Sequence, residues 1–136
     1  MLAAHHKTHT GSSFSITNTT RIHIPLLPFK KIKEAVLGNS GIVSLVFIGN
    51  TRSHTLNRTY RNKDKPTNVL AFPLEKNGGE IFINLHCVSK EAPLFKMNAR
   101  AFIGYLFIHA LLHLKGLDHG STMEREEKRL RARFHI

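Results

Sequence analysis

The chain has a single cysteine, Cys87, so no intramolecular disulfide can form and a reducing compartment is its natural home. The lone thiol is expected to pack in the core. Acidic residues are scarce: 9 Asp+Glu stand against 20 Lys+Arg, a formal net charge of +11 with the histidines neutral. That imbalance implies an acidic partner. RNA or DNA is the usual one, because each neutralised phosphate releases counterions, and an anionic membrane surface is the rival. No apolar run reaches the ~20 residues a bilayer span needs. The most apolar stretch, Ala99 to Leu114, carries two histidines, which also argues against a span, and no membrane partner is expected. Long Gly/Ser or Pro tracts and internal repeats are missing as well, so the 136 residues read as one domain with one core. Residues 1–13 lack the continuous apolar stretch of a signal peptide. They are expected to form a loose N-terminal tail, with His5, His6 and His9 in solvent, ahead of a single domain over 14–136.

What is present divides into recognisable elements. Thr20 to Ile24 reads as a short strand, and Phe29 to Leu37 as an amphipathic helix with Phe29, Ile32, Val36 and Leu37 on one side, closed by Gly38. Ile42 to Ile48 is nearly all apolar and rich in β-branched residues, as expected of a central strand covered on both faces. Asn50 to Arg61 has polar helix character, and Asn62 to Asn68 is a loop. Two strands, Val69 to Phe72 and Glu80 to Asn84, are joined through Pro73 and a Gly78-Gly79 turn. Ala99 to Leu114 is apolar almost all round and so marks a buried helix, stopped by a left-handed Gly116. A last helix follows, with Ser121 and Glu124 at capping-box spacing, Glu124-Lys128 and Glu127-Arg131 as i,i+4 pairs, and an inner face of Met123, Leu130 and Phe134.

The chemistry concentrates at the end of the buried helix. His109 and His113 lie four apart, so both rings project from one helical face and can converge on one ion. Gly116 breaks the helix and lets His119 return as a third ligand. Burying three imidazoles there without a shared ion would leave several ring nitrogens needing partners among apolar side chains. Three neutral imidazoles leave one tetrahedral position of Zn²⁺ to water, whose pKa falls toward neutrality there. Asp118 is expected to accept a hydrogen bond from a ligand ring or to cap the loop.

The His-x3-His-x5-His spacing also occurs in metzincin peptidases, where a Glu following the first histidine is the general base. Here that residue is Ala110. Peptide hydrolysis is disfavoured, whereas metal-assisted hydrolysis of another substrate is not. Arg52, Arg58, Arg61, Lys63 and Lys65, against Asp64 alone, form a basic stretch suited to phosphate, which a guanidinium holds bidentately.

At this point the chain resembles the YbeY-type metal-dependent endoribonucleases. Three segments carry the likeness: Leu56-Asn57-x-x-Tyr60-Arg61-x-x-Asp64-Lys65-Pro66-Thr67-Asn68-Val69-Leu70-x-Phe72-Pro73, then Gly79-Glu80-Ile81, then His109-x-x-Leu112-His113-Leu114-x-Gly116-x-Asp118-His119. Ala110, Leu117 and Glu80 depart from the glycine, aromatic and aspartate usual in the family, and the segment after His119 is short. The resemblance implies an α+β fold, a small mixed sheet of about four strands packed with helices, with the metal site on a central buried helix. It implies zinc-dependent cleavage of single-stranded RNA in ribosomal RNA maturation, in the cytoplasm. Partners would be ribosomal RNA, a ribosomal subunit or assembly proteins. It places Arg61 and His109 among the catalytic residues and His109, His113 and His119 as the metal ligands. Two rivals remain: an RNA-binding or ribosome-assembly protein whose metal only organises the fold, and a zinc peptidase with a base from elsewhere.

Overall fold

The computed structural model describes residues 6–11, 13–74 and 77–136. Among these residues five strands form one mixed sheet: β1 (His6–Gly11), β2 (Phe14–Asn18), β3 (Ile42–Ile48), β4 (Val69–Pro73) and β5 (Gly78–Asn84), in the order β1-β2-β3-β5-β4. The pairs β1/β2 and β4/β5 are antiparallel, while β2/β3 and β3/β5 are parallel. Among the described residues five α-helices accompany them: α1 (Phe29–Leu37), α2 (Asn50–Arg61), α3 (Leu85–Glu91), α4 (Ala99–Leu114) and α5 (Ser121–Arg133). The expected α+β architecture is therefore present, with one strand more than expected.

The two-residue period of β3 explains the layering. Val43, Leu45 and Phe47 point into the main core with α1, α4 and α5, while Val46 and Ile48 pack on the opposite face with Leu70, Phe82 and Leu56 of α2. Both faces of the central strand are thus covered, as its apolar run demands. Helix α4 is buried along nine positions from Phe102 to Leu112, and Phe107 meets Phe29 of α1 edge-on at 5.3 Å between ring centroids. An amphipathic stripe would not suffice for a helix packed between a sheet and two other helices.

Several expectations need correction. The first strand of the domain is Phe14–Asn18, not Thr20 to Ile24. The latter segment is a turn built by Asn18, whose Oδ1 accepts from Thr20 N at 2.9 Å and Thr20 Oγ1 at 2.7 Å. His6–Gly11 pairs as an edge strand where a loose tail was expected; residues 1–5 and 12 of that stretch, His5 among them, lie outside the described residues. Gly78 and Gly79 belong to β5 rather than to a turn. Helix α3 and a 3-10 turn over Ala92–Phe95 occupy a segment to which no element was assigned. The start of α3 has a clear local cause: the Asn84 side chain accepts from His86 N and Cys87 N. Cys87 itself is only half-buried. The Ser121/Glu124 capping box does not form, because Gly120 is the N-cap and no side chain caps the helix.

Candidate metal centre

Helix α4 positions the first two histidines. Asn98 caps its N-terminus by accepting from Ala101 N at 2.8 Å. At the other end Gly116, at φ +106°, closes a Schellman turn in which Gly116 N donates to His113 O and Leu117 N to Leu112 O. This reversal carries the chain back over the end of the helix. One nitrogen from each of His109, His113 and His119 then lies within 4.8 Å of the others. His109 Nε2 and His113 Nε2 face each other at 3.1 Å.

The orientation of His109 comes from a residue the sequence reading assigned elsewhere. Glu127 of α5 accepts a hydrogen bond from His109 Nδ1, and both side chains are largely buried. Glu127 was expected to pair with Arg131, and Asp118 to brace a ligand ring. Instead Arg131 lies over the Tyr105 ring at 5.5 Å, and Asp118 is exposed. The available signal was positional, since Glu127 sits four residues after Met123 and three before Leu130, on the buried face of α5.

In the tautomer whose Nδ1–H donates to Glu127, His109 turns its Nε2 lone pair toward its two neighbours. Burial lowers the pKa of His113, reinforced by His109 and His119 and opposed by the Leu117 backbone and Asp118. The ring is therefore neutral at neutral pH and able to donate its lone pair. Three imidazole nitrogens this close fit the donor set of a divalent ion with one position left open.

The histidines border a cavity of about 460 Å³ that also receives Arg61 from the end of α2. Arg61 is the only Arg, Lys, Asp or Glu among its described lining residues, and Ala110 lines it too. Among the described residues no carboxylate lines this cavity. The loop between α2 and β4 is tied down by its own polar residues. Asn57 Nδ2 donates to Lys65 O at 2.7 Å, and Ser53 Oγ both donates to Thr67 O and accepts from Thr67 N. Asn68 Nδ2 donates to Glu91 Oε1 at 2.7 Å, linking the cavity wall to α3. All five side chains of the basic stretch are exposed, and of them Arg61 alone lines the cavity.

The family model described as Endoribonuclease YbeY matches residues 5–135. The chain belongs to the YbeY endoribonuclease family. Among its relatives, a protein named Endoribonuclease YbeY from Alkaliphilus metalliredigens is 37% identical over 100 residues, covering 65% of this chain and 64% of that one. A protein of the same name from Onion yellows phytoplasma is 35% identical over 127 residues, covering 87% of this chain and 82% of its own length. The match with the Alkaliphilus relative, like that with one from Geobacillus kaustophilus, spans less than two thirds of the relative's length, 64% in each. A solution structure of a Thermotoga maritima protein superposes with a TM-score of 0.58 at 26% identity, covering 78% of both chains. No helix among the described residues is long and apolar enough to cross a membrane.

Proposed function

We propose that this protein is a zinc-dependent endoribonuclease that cleaves single-stranded RNA, acting on ribosomal RNA during its maturation in the cytoplasm. The observation that carries this reading is the placement of Arg61 and the three histidines around one cavity. Family membership supports the RNA substrate, and the net charge of +11 supports a polyanion.

In this reading His109, His113 and His119 hold the ion. When bound, zinc supplies Lewis-acid polarisation of a phosphodiester oxygen and lowers the pKa of water at its open position. Glu127 fixes the tautomer and orientation of His109. Arg61 holds non-bridging phosphate oxygens through its guanidinium and stabilises the charge that develops on them. Ala110 keeps that side of the cavity free of a carboxylate that would repel the backbone.

Purified protein of measured zinc content, offered single-stranded RNA and casein beside His113→Ala and Arg61→Ala, tests the reading. RNA is expected to be cut by the parent, with both variants reduced by at least about a hundredfold. RNA that binds tightly but survives at full zinc occupancy would make the protein a metal-stabilised RNA-binding protein. Casein cleavage would restore the peptidase alternative. The products identify the nucleophile: a 2′,3′-cyclic phosphate assigns attack to the RNA 2′-hydroxyl, and a free 3′-hydroxyl with a 5′-phosphate assigns it to water.

A further inference from the structure

A second cavity, of about 300 Å³, adjoins the first and shares Asn68, Val69, His109 and His119 with it. Its character is different. Where Arg61 lines the first cavity, the second has no Arg or Lys among its described lining residues and carries Glu124 and Glu127 instead. A phosphate would be repelled there.

Its wall is aromatic. Phe95, at the end of the 3-10 turn, stacks on the fully buried Phe102 at 5.1 Å between centroids and 27° between planes. Phe102 continues to Tyr105 at 6.1 Å and 26°, and Tyr105 to His109 at 6.1 Å and 37°. Phe95 also lies 6.4 Å from Tyr105, so these three rings form a triangular aromatic cluster at the rim of the cavity, which Tyr105 joins to the metal centre through His109. Phe95 is 52% exposed, while the rings beneath it are held by the core. A half-exposed ring on a rigid base, next to a site that takes phosphate, is the arrangement used to stack an unpaired base.

We infer that this second cavity is a nucleobase subsite, in which one base of single-stranded RNA next to the scissile phosphate stacks on Phe95. This rests on the RNA reading above. The two cavities then divide the nucleotide: the backbone lies on the Arg61 side and the base on the Phe95 side, with His109 and His119 lining both. An unpaired base is required, because a base held in a duplex has no free face to offer. Single-strand preference would thus arise in the second cavity rather than at the metal.

The chain contains no tryptophan, so Phe95→Trp introduces one reporter at the proposed stacking position. The zinc-loaded variant is titrated with a 2′-O-methyl single-stranded RNA octamer and with the same backbone lacking its bases. The octamer is expected to quench the emission of the introduced indole, and the abasic backbone to bind without quenching. In parallel, Phe95→Ala is expected to weaken octamer binding by about fivefold to a hundredfold while leaving abasic binding unchanged. Octamer binding that depends on Arg61, with the indole unquenched and Phe95→Ala binding as tightly as the parent, overturns the subsite and leaves the nuclease reading standing. Equal quenching by the abasic backbone also overturns it. Absence of any octamer binding overturns both. An indole emission shift that follows protein concentration without RNA would assign the face to a second copy of the chain and remove the base from it.

Discussion

Glu127 lies 18 residues from His109 along the chain, yet its carboxylate is what sets that ring. Partners of this kind raise ligand basicity and restrict the imidazole to one tautomer, and their loss commonly costs 10–100-fold in metal affinity. Glu127→Ala is therefore expected to weaken zinc binding by about that factor in competition against a chromophoric chelator, with its far-UV spectrum unchanged. Unaltered affinity would reduce the contact to packing. A second buried charge gives a pH signature. Lys33 is fully buried, its Nζ donating to Ser13 Oγ at 3.2 Å and Asn39 O at 3.3 Å. Burial lowers its pKa below 10.5, with Glu34 opposing and Lys30 assisting. Between the lowered value and the ordinary one the unfolded chain binds more protons than the folded chain, so stability rises with pH across that window. Below it both states carry the proton, and the folded state bears the full desolvation cost. The stability advantage of Lys33→Met over the parent is thus expected to shrink in urea melts as pH rises toward 10.5. A constant difference would mean that Lys33 does not titrate early. The three histidines were legible because ligand chemistry leaves a fixed spacing in one helix and its exit. Glu127 was not, because its partner is remote in sequence and its acidic neighbours suggested an ordinary solvated helix.

At the scale of elements, the boundaries of α1, β3, α2, α4 and α5 follow from periodicity, apolar runs and stop residues, all local signals. The elements misread depend on something else. Strand β2 is only five residues long, and it is a strand because β3 lies beside it in parallel register. The parallel pairing of β3 and β5 likewise joins segments far apart in sequence and explains one glycine. A Cβ at Gly78 would stand 2.0 Å from Ile42 O on the neighbouring strand, so only glycine fits. Gly116 has a different reason, since a Cβ there would meet nothing within 4 Å but its φ of +106° disfavours any L side chain. Gly116→Ala is expected to cost about 1–2 kcal/mol in denaturant stability and to weaken zinc binding, because the turn that returns His119 is strained. A stability loss with zinc affinity intact would show that His119 finds the ion without this turn.

Over the whole molecule, a net charge of +11 is an electrostatic device independent of the active cavity. In the proposed function it collects RNA, whereas the cavity decides what happens to it. The logarithm of RNA affinity is therefore expected to fall linearly with that of salt concentration, and Arg61→Ala to make the slope shallower by about 0.7, the loss of one phosphate contact on a single strand. An unchanged slope would remove Arg61 from the backbone path. The division between charge and site also explains why composition indicated a polyanion without indicating a reaction, and why the likeness of three motifs was needed to name one.

The central claim, that one ion held by His109, His113 and His119 is needed to cut RNA, is tested most directly by stepwise return of zinc to chelated protein. The rate of single-stranded RNA cleavage is followed against added metal. Cleavage is expected to be absent without zinc, to rise linearly and to break at one equivalent per chain in the parent, and to stay near background in His113→Ala. Full cleavage by the chelated protein, or intact RNA beyond one bound equivalent, would contradict it.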